Sequence, residues 1–110
     1  MNVELTHGKD VDVSSMLRER IEQKLEKIES RLGQKLSFRV RIEKEHNDYV
    51  THIHFHETRD FDANAKDDDL SKSVDAAIHK IETQVRKYHD RHDQKSGDTI
   101  RESIDIEKED

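Results

Sequence analysis

The apolar residues of this chain change period three times along its length, and few folds accommodate all three changes. From Ser14 to Leu32 they recur at helical spacing. Leu17, Ile21, Leu25, Ile28 and Leu32 fall within one arc roughly 80° wide. From Lys35 to Glu43 they alternate, with Leu36, Phe38, Val40 and Ile42 on one side and Ser37, Arg39 and Arg41 on the other. Tyr49 to Glu57 alternates again, opposing Thr51, Ile53 and Phe55 to Val50, His52, His54 and His56. A further stretch from about Arg59 to Ala65 turns Phe61, Ala63 and Ala65 inward. Helical spacing then returns in Leu70, Val74, Ala77, Ile78, Ile81, Val85 and Tyr88. A short alternating segment, Asn2 to His7 with Val3 and Leu5 on one side, comes before all of these.

Local signals bound the segments. Gly8 to Val13 reads as a connection, Ser14 as an N-cap with Val13 as a hydrophobic staple, and Gly33 as the residue that ends the first helix. Lys44 to Asp48 reads as a polar turn and Lys66 to Asp69 as a charged one, with Asp69 capping the second helix. The order is therefore β-α-β-β-β-α. The leading strand, helix and next strand form a right-handed βαβ unit with parallel strands, and antiparallel hairpins follow. Each helix has one apolar seam and needs a sheet face to cover. The expected fold class is an α/β (α+β) two-layer sandwich: a four-stranded sheet with both helices on one face.

A chain of 110 residues, 30% hydrophobic and 42% charged, has material for one modest core. The folded domain is expected over residues 1–95. In 96–110 the periodicity dissolves, and six acids against two bases give a tail of net −4 on a chain of net −6. That segment is expected to be disordered. No apolar run is long enough for a membrane span, no signal-peptide pattern opens the chain, and there is no Cys, so a soluble cytoplasmic protein is expected.

On the first helix the charges are separated by sign. Arg20, Lys24, Lys27 and Arg31 form one arc beside the apolar seam, while Glu19, Glu22, Glu26 and Glu29 gather elsewhere. Surface helices usually intermix charge, because Glu–Lys pairs four apart are mildly stabilising. The second helix repeats the layout more loosely, with Lys80, Gln84, Lys87 and Arg91 on one flank and Asp75 and Glu82 on the other. Most charge runs are simply solvated faces, and the negative net charge favours that reading. Segregation on both helices favours a polyanion, since phosphate binding depends on local potential.

Other constellations carry less. His52, His54 and His56 share a strand face, a spacing that suits nitrogen ligation of a metal, but Arg39 and Arg41 on the neighbouring strand oppose a cation. A solvated or RNA-adjacent His row is the simpler reading. Asp67, Asp68 and Asp69 lack the spacing of a calcium loop and are explained by helix capping. There is no nucleophile–base arrangement and no glycine-rich phosphate loop. No enzyme, cofactor, metal or small-molecule substrate is expected.

The segment Leu17-Arg18-Glu19-Arg20-Ile21-Glu22-Gln23-Lys24-Leu25-Glu26-Lys27-Ile28-Glu29 resembles the first helix of the ribosome hibernation-promoting factor and ribosome-associated inhibitor family. Asp69-Leu70, Ala77-Ile78 and Lys80-Ile81-x-x-Gln84-Val85-x-Lys87 are similar to its second helix. The resemblance spans roughly residues 2–95. It implies a fold akin to the double-stranded-RNA-binding domain with an extra leading strand. It also implies binding to the small ribosomal subunit, at rRNA of the decoding region, where the protein blocks the tRNA and mRNA channel during stress or stationary phase. The positions matching the family's rRNA-contacting bases are Arg18, Lys24, Lys27, Lys80 and Lys87, with Gln84 alongside. Arg20, Arg31 and Arg91 join them from the stripes. Thr83 stands where many members carry a base. The rivals are a generic structured-RNA binder, a His-row metal protein and a protein-interaction module using the open sheet face and tail.

Overall fold

The computed structural model describes residues 1–93; the tail expected from Ser96 onward lies outside the described residues. Six elements follow in the expected order: β1 (Asn2–His7), α1 (Ser15–Leu32), β2 (Ser37–Glu45), β3 (Asp48–His56), β4 (Asp60–Asp67) and α2 (Leu70–Asp93). The four strands form one sheet in the order β1-β2-β3-β4, with β1 and β2 parallel and the other neighbours antiparallel. Helix α2 lies over β3 and β4 and beside α1.

The helix ends follow from the residues placed there. The Ser14 hydroxyl accepts the Leu17 N–H at 3.1 Å, satisfying one orphan donor of the first turn. Gly33 closes α1 in the left-handed region at φ 70°, where a Cβ is penalised, and donates its N–H to the Glu29 carbonyl. Asp69 Oδ1 accepts the Lys72 N–H at 3.1 Å and caps α2. Glu29 ties three segments together. Its carboxylate accepts the Leu36 N–H at 2.8 Å and lies 3.4 Å from the N-terminal ammonium. The Leu36 hydrogen bond, with help from that ammonium, holds the Glu29 carboxyl below the usual carboxylate range despite partial desolvation.

Two turns are shorter than the sequence suggests. The strands run on through Lys44, Glu45 and Asp48, leaving His46 and Asn47 as a two-residue hairpin loop with His46 at φ 58°. Lys66 and Asp67, expected in a charged turn, extend β4. Their backbones pair with Val50 and Tyr49, and Lys66 Nζ reaches Glu45 at 3.7 Å.

The core joins the seams of both helices to the inward residues of the sheet. Phe38, Phe55 and Phe61 form a contiguous run across β2, β3 and β4, with ring centroids 4.9 and 4.8 Å apart. Among the inward residues, Thr51 is a buried polar exception, and its partner is the equally buried Ser73 of α2, oxygen to oxygen at 2.9 Å. Ser73 Oγ also lies 2.9 Å from the Tyr49 carbonyl and 3.2 Å from that of Ala65. It has one proton to share between those carbonyls and accepts from Thr51, so the hydroxyl pair is satisfied inside the core.

Candidate nucleic-acid interface

The chain direction sets how the cationic flanks sit. Because β4 runs parallel to β1, α1 and α2 lie side by side in the same direction. Arg20 near the start of α1 pairs with Asp75 near the start of α2. Further along, Lys27, Ile28 and Arg31 face Glu82, Val85 and Arg86 across a shallow groove. The row Arg20, Lys24, Lys27 and Arg31 therefore borders the interhelical groove, opposite the acidic flank of α2. Sign segregation on α1 serves helix docking as well as any external partner.

The cations of that row differ in engagement. Arg20 is held by Asp75, whose Oδ1 is buried with no hydrogen-bond partner. Lys24 is half-buried, whereas Lys27, Arg31 and Arg86 are exposed around Glu82. Three cations thus surround one carboxylate at the far end of the groove, an arrangement that attracts phosphate. Arg86 is absent from the sequence-derived set. It lies on the acidic flank of α2, four residues after Glu82, and the helix pairing brings it beside Lys27 and Arg31.

The flank with Lys80, Gln84 and Lys87 points the other way, toward the outer edge of the sheet. Lys80 Nζ donates to the Asn64 carbonyl at 3.1 Å. Gln84 Nε2 donates to the Asp62 carbonyl at 2.8 Å, while its Oε1 accepts the Asp62 N–H at 3.4 Å. The Gln84 amide acts as a short surrogate strand on the open side of β4, and it blunts an edge that would otherwise template pairing. Lys80 and Gln84 therefore have a structural task at these positions. Lys87 lies half-buried two turns beyond Lys80 on the same flank, and the Arg91 side chain is outside the described ones. Arg18 is exposed on the opposite flank of α1 from the groove. The structure brings Lys27 and Arg31 together with Arg86, while Arg20 sits with Asp75 nearer the helix starts. It does not bring Arg18, Lys80, Gln84 or Lys87 to the same groove. Thr83 turns its hydroxyl back to the His79 carbonyl at 2.9 Å.

Among the described residues no group of three or more His, Cys, Asp or Glu is placed to hold a metal ion. His52 instead pairs with Asp62, and His54 and His56 with Asp60 at 3.4 and 2.8 Å. Hydrogen bonds from His56 and His54 hold the Asp60 carboxyl low. Among the described residues no helix is long and apolar enough to cross a membrane.

By its architecture the protein is a two-layer α+β domain with a cation-rich groove between its helices. The comparisons with known proteins make that class specific. The sequence profile described as sigma 54 modulation protein / S30EA ribosomal protein matches residues 5–93, and the chain belongs to this family of ribosome-associated modulation proteins. A ribosomal subunit interface protein from Coxiella burnetii is similar at 28% identity and TM-score 0.68, over 81% of this chain and 98% of that one. The Protein Y N-terminal domain from Thermus thermophilus shares the fold at TM-score 0.70 and 21% identity, over 80% of this chain and 99% of its own. Among curated protein sequences none matches this chain significantly.

Proposed function

We propose that this protein is a cytoplasmic, non-catalytic hibernation factor. It binds the small ribosomal subunit, occupies the channel for tRNA and mRNA, and thereby inhibits translation. The observation that carries this reading is the exposed cluster of Lys27, Arg31 and Arg86 on a chain of this family. Steric exclusion requires only a rigid body of suitable charge, and a buried core joined across two layers supplies the rigidity. Phosphate neutralisation by the groove releases counterions, so association is strongly salt-dependent. No cofactor takes part.

The test is co-sedimentation with purified small subunits, combined with competition by free duplex RNA and by initiator tRNA. Binding that resists excess duplex RNA and displaces tRNA supports the reading. Binding that duplex RNA competes away makes the protein a generic structured-RNA binder. Binding without displacement of tRNA refutes occupancy of the channel.

A further inference from the structure

The helices cover one face of the sheet, and among the described residues nothing covers the other. Its central strands carry Arg39 and Arg41 on β2 opposite His54 and His52 on β3, in direct register. Acids occupy the rims: Glu4 on β1, and Asp60 and Asp62 on β4. We infer that this open face is a second RNA-binding surface, taking a single-stranded segment along the Arg–His stripe and gated by protonation of the imidazoles. The groove side and the sheet side would then grip two separate RNA elements. The choice of RNA as the polyanion rests on the function proposed above.

Three observations carry the inference. First, the stripe is built as a recess: Arg39, Arg41, His52, His54 and Asp62 line a depression of about 220 Å³. His52 and His54 expose only 38% and 37% of their side chains, so their rings form its wall. Second, the rim acids orient the ligand-facing groups. Arg39 Nε lies 3.3 Å from Glu4, and His52 Nε2 is held by Asp62. Arg41 sits between Thr6 and His52 in the sheet, with its nearest acid, Glu43, at 4.0 Å. Its guanidinium is the least neutralised of the stripe. Third, the chemistry suits nucleic acid over a lipid surface. Guanidinium and imidazole planes stack on unpaired bases. Val50, half-buried in line with the stripe, is its one apolar side chain, which gives a bilayer nothing to embed.

Charge decides when the face works. With neutral imidazoles, the acids of this face, Glu4, Glu43, Glu45, Asp48, Asp60 and Asp62, outnumber Arg39, Arg41 and Lys66. Protonating His52, His54 and His56 brings the face as a whole to balance and leaves the recess around Arg39 and Arg41 cationic. An anion on the stripe favours the imidazolium, so binding takes up protons and affinity rises as pH falls.

The experiment is anisotropy titration of a twelve-nucleotide single-stranded uridine oligomer at pH 7.5 and pH 6, at constant ionic strength. The wild type is compared with Arg39→Gln/Arg41→Gln, His52→Gln/His54→Gln and a groove variant, Lys27→Ala/Arg31→Ala/Arg86→Ala. Circular dichroism of each variant verifies folding, and imidazole carbon shifts on oligomer addition report contact directly. Expected results are binding that tightens at least 5-fold at the lower pH, loss of at least 10-fold in the arginine variant, and a flattened pH profile in the histidine variant. Oligomer binding unchanged in both sheet variants, or imidazole signals that do not move, would overturn the inference while leaving subunit binding through the groove intact. Wild-type protein that fails to co-sediment with small subunits would instead refute the proposed function, and the oligomer titration would still decide the role of the sheet.

Discussion

Replacing Lys27, Arg31 and Arg86 together by Ala removes the exposed cations at the far end of the interhelical groove. Alanine is the best helix former, and all three side chains are exposed, so the fold should survive. The size of the effect follows from counterion release. Each phosphate contact contributes about 0.7 to 0.9 to the slope of log affinity against log salt, the lower figure for single strands and the higher for duplex. Extrapolated from 1 M to 0.1 M salt, one contact is therefore worth roughly 5- to 8-fold in affinity. Three contacts amount to about 100- to 500-fold, with the slope shallower by about 2 to 3. Sedimentation with small subunits between 0.05 and about 0.3 M salt reads both quantities. Glu26→Gln, on the solvent side of α1, serves as the control and should leave the slope unchanged or strengthen binding slightly. A triple variant whose slope stays within about 0.5 of wild type would show that the groove does not meet rRNA phosphate.

Four further outcomes concern the scaffold. Ser73→Ala strands the buried Thr51 hydroxyl and should cost about 1 to 3 kcal/mol by urea unfolding, several degrees in melting temperature. Gly33→Ala places a Cβ at φ 70° and should cost about 1 to 2 kcal/mol, although nothing lies within 4 Å of the added carbon. His46→Gly relieves positive φ in the hairpin loop and should raise stability by up to about 1 kcal/mol; a loss would show that the His46 backbone is unstrained. Glu29 contributes stability above its unfolded pKa, and that contribution is lost as pH falls through its lowered folded value. Glu29→Gln should therefore be less stable than wild type at pH 7, with the gap closing below about pH 4, and a pH-independent gap would exclude the ionised hydrogen bond as its source.

The elements of this fold are legible because each carries redundant signals. Alternation places Phe38, Val40 and Ile42 inward on β2, and all three are buried. Ser14, Gly33 and Asp69 mark helix ends by capping chemistry that acts locally. Turn lengths were less legible: backbone pairing, which polar residues do not disclose, carries the strands through Lys44 and Lys66. The candidate site was half legible. The α1 row is visible on a helical projection, but the partner it faces depends on two helices lying in parallel over one sheet. Arg86 joins the groove for that reason, and Lys80 and Gln84 are directed to β4 instead. Ser73 is missed because serine is usually exposed. Thr51, lying inward in line with Ile53 and Phe55, was the available sign that a buried hydroxyl partner had to exist.

Net charge is a poor guide to this molecule because its charges are unevenly distributed along the sequence. Of the formal −6, residues 96–110 carry −4. At physiological ionic strength charges more than about 8 Å apart are largely screened, so what a phosphate meets is set by its immediate neighbours. At the far end of the groove those neighbours are Lys27, Arg31 and Arg86 against Glu82, three cations facing one anion. Asp75 is already committed to Arg20. The acids that make α2 a docking partner for α1 are therefore too few to neutralise the row. The same pairing that aligns the helices leaves Lys27, Arg31 and Arg86 in excess over Glu82. A surface of this kind attracts a polyanion while the chain as a whole stays acidic, so the proposed binding is expected to follow the groove residues and the salt concentration rather than the isoelectric point.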